Sequence, residues 1–159
     1  MRREPEYQIP RKGLTVWRLY GFIYTFFLSI IAGVLCFFTY KWNWFHIVYY
    51  VAIAVVIIVG FALIWLFPKI RWNHWRYEVR EQEIEIQSGL FVVKRTLIPM
   101  VRVQHVDTTQ GPILKKYDLA NIAISTAATT HVIPMLITEE ADRLRARISE
   151  LARVAEDDV

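Results

Sequence analysis

Two stretches near the start of the chain, residues 19–40 and 42–67, contain nothing more ionisable than His46 and are separated only by Lys41. A helix that crosses a hydrocarbon core of roughly 30 Å needs about 20 mainly apolar residues, and both stretches reach that length. In lipid the backbone must satisfy its own hydrogen bonds, so two neighbouring apolar segments joined by a short turn have to be helices. The expectation is a transmembrane helical hairpin over residues 19–67. A buried hairpin in a soluble protein is one competitor, but core helices rarely run this long without a charge. A cleaved leader is the other, because Arg2 and Arg3 resemble a basic n-region. The apolar run begins far downstream of them, however, and ends in Tyr40-Lys41-Trp42-Asn43-Trp44, which offers no small-residue cleavage site. The first span therefore reads as a retained anchor.

Orientation follows from the flanking basic residues. Arg2, Arg3, Arg11, Lys12 and Arg18 precede the first span, and Lys69, Arg71, Arg76 and Arg80 follow the second, whereas the turn has only Lys41. Both termini are expected on the cytoplasmic side of the cell membrane. Trp17, Tyr20, Trp65, Trp72 and Trp75 would mark the inner interface, and Tyr40, Trp42, Trp44, Tyr49 and Tyr50 the outer one. The chain is 55% hydrophobic and 14% aromatic, more than a small soluble domain can bury. Its net charge of +4 sits in residues 1–18 and Lys41, while residues 69–159 carry 13 basic and 13 acidic side chains. A basic footprint for nucleic acid is therefore missing, and the tail's excess answers to anionic lipid. Cys36, the single cysteine, lies within the first span, which leaves no intrachain disulfide or cysteine-based metal site.

Three segments result: a cytoplasmic basic tail over residues 1–18, the hairpin over 19–67, and a cytoplasmic domain over 68–159. Pro68 is expected to end the second helix, leaving residues 69–76 as a short interfacial connection. Beyond Trp75 the period changes. Tyr77 and Val79 alternate with charged neighbours, as do Ile84 and Ile86, and Ser88-Gly89 is read as a turn into a strand over residues 90–93. Further strand-like runs occupy residues 96–98, 101–106, 119–125 and 132–137, separated by Pro99, Gly111-Pro112 and residues 126–130. The last element is an amphipathic helix: Thr138 can cap it, Glu139, Glu140 and Asp142 suit its N-terminal dipole, and Leu144, Ile148, Leu151 and Ala155 share a face. Antiparallel strands followed by one such helix describe a curled sheet whose open end the helix covers.

The chain resembles the YdbS-like bacterial membrane proteins, whose cytoplasmic part is a bacterial pleckstrin-homology-like (PH-like) domain. The likeness rests on the two-helix hairpin, then Trp75-Arg76-Tyr77-Glu78-Val79, the turn from Ile84 to Leu90, Ile98-Pro99-Met100-Val101-Arg102-Val103-Gln104-His105-Val106, Gln110-Gly111-Pro112-Ile113-Leu114, and the run from Leu119 to Ala127. It implies an α+β cytoplasmic domain, a PH-like β-barrel plugged by the C-terminal helix. It also implies a non-enzymatic membrane module paired with a longer membrane protein bearing several related domains, with an association to tolerance of membrane-active peptides. Asp118 and Ala128 stand where relatives of this kind carry glycine, so the two turns there are expected to differ.

His74, His105 and His131 with Asp107 and Asp118 form the one plausible catalytic set. His105 and Asp107, at i and i+2, would share a strand face where the carboxylate can orient the imidazole, but a polar strand face is the simpler reading. None of the common motifs for a nucleophile, metal or phosphate loop occurs, so no catalytic residue, metal or cofactor is assigned. His46, beside Asn43 and Trp44, reads as an interfacial histidine in preference to a proton relay. The loop Arg80-Glu81-Gln82-Glu83 is too acidic for phosphoinositide recognition. Lys94, Arg95, Arg102, Lys115 and Lys116 remain as candidate contacts to anionic headgroups, with solvated strand-face charge as the alternative. Ser29 and Gly33 in the first span, and Ala52, Val56 and Gly60 in the second, give small surfaces for close helix packing. That packing belongs to the hairpin itself, to a second copy or to another membrane protein. The leading expectation is an interaction module serving envelope homeostasis or peptide tolerance; the alternative is a direct sensor of anionic lipid.

Overall fold

The computed structural model describes residues 3–41 and 47–157, so Arg2, Trp42, Asn43, Trp44 and His46 lie outside the described residues. The chain divides into two compact units: Trp17–Ile70 form one, and the residues up to Val16 together with those from Arg71 onward form the other.

The first unit is the helical hairpin. Helix α1 (Arg11–Lys41) has 31 residues, roughly 46 Å at 1.5 Å per residue. The second long helix runs over Ile47–His74. It comprises α2 (Ile47–Phe61), a π-helical turn (Ala62–Leu66) and α3 (Phe67–His74). Both helices are long and apolar enough to cross a membrane, and few residues of either apolar window are buried. Pro68 does not end the helix. A proline lacks the N–H and its ring strikes the carbonyl four residues back; the π turn, in which the Phe67 N–H reaches the Ala62 carbonyl, widens the helix just before that position. The expected connection over residues 69–76 is therefore mostly helix.

The second unit holds two antiparallel sheets. One has the order β1-β2-β3-β4, from β1 (Tyr7–Gln8), β2 (Arg76–Val79), β3 (Glu83–Gly89) and β4 (Val93–Pro99). The other has the order β5-β6-β7, from β5 (Val103–Thr109), β6 (Leu119–Thr126) and β7 (Thr130–Ile137). A 3-10 turn (Met100–Arg102) joins the sheets, a short helix α4 (Pro112–Lys116) links β5 to β6, and α5 (Thr138–Asp157) closes the domain. Ile84, Ile86, Ile98, Met100, Ile122, Ile124, Ile133 and Leu136 fill the interior, and α5 presents Ala141, Ile148 and Ala152 to it. The alternation in β6 puts one face inward, and α5 packs on β5, β6, β7 and the 3-10 turn.

Three more sequence expectations change. Residues 90–93 are not a strand: β3 pairs with β4 from Glu83↔Pro99 to Gly89↔Val93, so residues 90–92 are the turn. The turn is tight enough that a Cβ at Gly89 would lie 2.0 Å from the Val92 carbonyl oxygen. Residues 100–102 form a 3-10 turn, and the strand expected from 101 starts at Val103. Nor are the first residues a separate tail. Tyr7 and Gln8 pair with Tyr77 and Arg76, and Pro5, Ile9 and Val16 are fully buried.

Candidate functional site

Within the hairpin, small residues recur every four positions on α1: Gly21, Thr25, Ser29 and Gly33. A Cβ at Gly21 would lie 2.4 Å from the Leu63 carbonyl oxygen, and one at Gly60 would lie 2.8 Å from Thr25 Cγ2. The backbones approach closely there, as small residues permit in lipid. Thr25 and Ser29 hide their hydroxyls by donating to the carbonyls of Gly21 and Thr25, each at 2.8 Å. Further along, Ser29, Ala32 and Gly33 face Ala52, Ile53 and Val56 across a groove of about 280 Å³, almost wholly apolar. A Cβ at Gly33 would meet nothing within 4 Å. The structure thus brings Ser29, Gly33 and Ala52 together, while Gly60 serves the tight part of the same seam. Gly21 and Thr25 were legible in the sequence as the upstream continuation of the Ser29-Gly33 spacing, a signal that the shorter stripe concealed.

The domain's register sorts its charges by end. At one end of the first sheet the chain leaves for α1 and returns from α3, with Gln8 paired to Arg76 and Arg76 to Gln87. Trp72 ties the two connections together, its indole donating to the Ile9 carbonyl at 2.8 Å and its carbonyl accepting from Gln8 at 3.0 Å. Lys94 and Arg95 lie at this end, opposite Ser88 and Gln87. Arg95 is engaged, donating to Gln87 at 2.8 Å beside the buried Glu85. Lys115 and Lys116 are exposed on α4, past the end of β5. That end adjoins Ile137 through Thr109, Asn121 and Leu119, and nearby Met135 packs where a Gly13 Cβ would sit. Arg102 lies at the opposite end, where Glu83 pairs with Pro99 and the Met100 N–H reaches Gln82. Within the first sheet, Lys94 and Arg95 therefore lie at the opposite end from Pro99, which the turn containing Arg102 follows.

At the far end, Arg80 joins Glu78, Glu83 and Glu85 at 2.9, 3.0 and 3.3 Å. Its guanidinium holds the Glu78 carboxyl below the usual range. A cleft of about 540 Å³ lies beside this end, lined by Leu97, Pro99, Arg102, Gln104, Thr129 and His131 among others. His105 Nε2 and Asp107 Oδ2 are 3.6 Å apart, each side chain 62% exposed. Such a pair is solvated, with nothing to exclude water from it. Among the described residues no cluster of three or more His, Cys, Asp and Glu could hold a metal.

Two of the described residues other than glycine have positive φ. Asp118 has φ 57°, the left-handed conformation that glycine adopts most readily. Met135 has φ 57° in a bulge of β7 opposite Asn121, whose Oδ1 accepts the Met135 N–H at 2.9 Å. Ala128 is not among the positive-φ residues.

Two membrane-length helices followed by a two-sheet domain closed by a C-terminal helix define a transmembrane protein with a PH-like domain. Residues 19–152 match the family described as Bacterial PH domain, and the chain belongs to it. It is 52% identical to the UPF0699 transmembrane protein YdbS of Bacillus subtilis (strain 168) over 159 residues, all of both chains. It is also 32% identical over 119 residues to the UPF0699 transmembrane protein YdbT of the same organism, an alignment that covers 70% of this chain and 23% of YdbT. The likeness read from the motifs is borne out. No solved structure matches the chain.

Proposed function

We propose that this protein is a non-enzymatic, membrane-anchored docking module that assembles through its spans with a second membrane protein, a longer one with a related PH-like domain, or with copies of itself. The groove between Ser29, Gly33, Ala52 and Val56 carries the reading. The two helices touch tightly at Gly21 and Gly60, yet leave a small-residue hollow at Ser29 and Gly33, a shape into which a third helix fits closely. The match of most of this chain to under a quarter of YdbT supports a longer relative of the same build as the occupant. The basic residues flanking the spans favour both termini on the cytoplasmic side. In this position the domain serves envelope homeostasis or tolerance of membrane-active peptides.

Mild-detergent extraction from native membranes, followed by affinity purification, tests the assembly. The expected result is a stoichiometric membrane partner or a homo-oligomer. Gly33→Ile should release it while leaving the hairpin folded, because no neighbour occupies the space at that Cβ. A monomer without a partner overturns the reading.

A further inference from the structure

The turn between β3 and β4 places Phe91 and Val92 77% and 81% exposed. Both side chains are large and apolar, and they stand next to each other at the hairpin tip. Arg76 pairs with Gln87 and Gln87 with Arg95, while the hairpin continues past that level to Gly89↔Val93 and the turn beyond. Arg76 directly follows α3, and its other partner, Gln8, directly precedes α1. The tip therefore projects from the same end of the sheet at which the chain passes to and from its spans. The loop Arg80-Glu81-Gln82-Glu83, acidic on balance, lies at the opposite end. Lys94, exposed, follows the tip, and Lys115 and Lys116 are exposed on α4. An apolar tip with Lys94 behind it suits a bilayer interface, where the ring and branched side chain enter the acyl boundary and the ammonium group remains among anionic headgroups.

We infer that the β3–β4 hairpin tip, Phe91 with Val92, inserts into the surface of the bilayer that holds the spans, with Lys94 as its headgroup contact. The tip thereby gives the domain a third attachment to the membrane besides α1 and α3. This inference stands apart from the proposed assembly, because it needs lipid alone.

Full-length protein in nanodiscs of zwitterionic and anionic phospholipid tests it. In a Cys36→Ala background, an environment-sensitive fluorophore is placed at Val92→Cys or, as control, at Gln82→Cys in the exposed loop of the far end. Lipids carrying a quencher at the top of the acyl chain report contact. The label at position 92 should shift to the blue and lose most of its emission, the label at 82 should do neither, and adding Phe91→Asp should restore the emission at 92. Equal quenching at the two positions overturns the inference, as does quenching at 92 that Phe91→Asp leaves unchanged. Purified nanodiscs contain no partner protein, so an unquenched tip would assign this surface to a protein instead.

Discussion

At Gly21 and Gly33 the same residue type does different work. A methyl group at Gly21 would overlap the Leu63 carbonyl, whereas at Gly33 it meets open space. Gly21→Ala is therefore expected to cost the hairpin about 1–3 kcal/mol through forced backbone separation, and Gly33→Ala close to nothing. Helicity followed through a detergent denaturation of both variants distinguishes them. Asp118 is a second case: a left-handed aspartate carries a penalty of about 1 kcal/mol that glycine escapes, so Asp118→Gly should be neutral or stabilising in thermal melts. Tyr77 donates its hydroxyl to Glu140 at 2.8 Å. Burial first, then the nearby carboxylate, pushes the phenol up. A group raised in the folded state contributes fully below its unfolded value, about 10 for tyrosine, and loses that contribution as pH climbs through the folded one. The domain should lose stability above about pH 10, and Tyr77→Phe should remove that part of the alkaline dependence. The sequence showed that Tyr77 alternates inward. It did not show Glu140 as its partner, because a contact 63 residues apart depends on how α5 crosses the sheet.

At the scale of elements, the strands and α5 were legible because their apolar residues repeat at periods of two and 3.6. The junctions were not. Residues 90–93 are as apolar and branched as any strand, and only the pairing of Gly89 with Val93 reveals that three of them form a turn. Pro68 was misleading for another reason. A proline usually stops a helix because of what stands one turn earlier, and here the π turn has already widened that place. Such a turn leaves no mark in hydropathy. The five candidate cations were legible as charges, but it takes the register of the first sheet to set Lys94 and Arg95 apart from its far end. Helix α5 packs on the second sheet and the 3-10 turn, with Ile148 fully buried. Ile148→Ala should cost about 2–5 kcal/mol, the range for deleting a large core side chain, while Ala146→Ser on the exposed side of the same helix should cost almost nothing. Chemical denaturation of the two variants in detergent reads the difference.

For the whole molecule, the boundary between membrane and domain is not where hydropathy puts it. The first 18 residues look like a basic tail because their charge is all that a linear reading can weigh. Folded, they supply an edge strand, Tyr7 stacked on Tyr77 with ring centroids 5.8 Å apart, and the buried Pro5, Ile9 and Val16. Fully burying a branched aliphatic side chain contributes roughly 1.5–3 kcal/mol, so Ile9 and Val16 together supply a large part of the roughly 5–15 kcal/mol that holds a typical domain folded. A fragment beginning at residue 71 carries every strand but β1 and all of α5, yet it leaves that surface and one edge of the first sheet open to water. The expected outcome is a marginally folded, aggregating fragment whose amides exchange quickly in β2. Joining residues 3–16 to it through a flexible linker should restore a cooperative melt and slow that exchange. If the shorter fragment already melted cooperatively with a protected β2, the N-terminal segment would be an accessory to the domain and not a part of it.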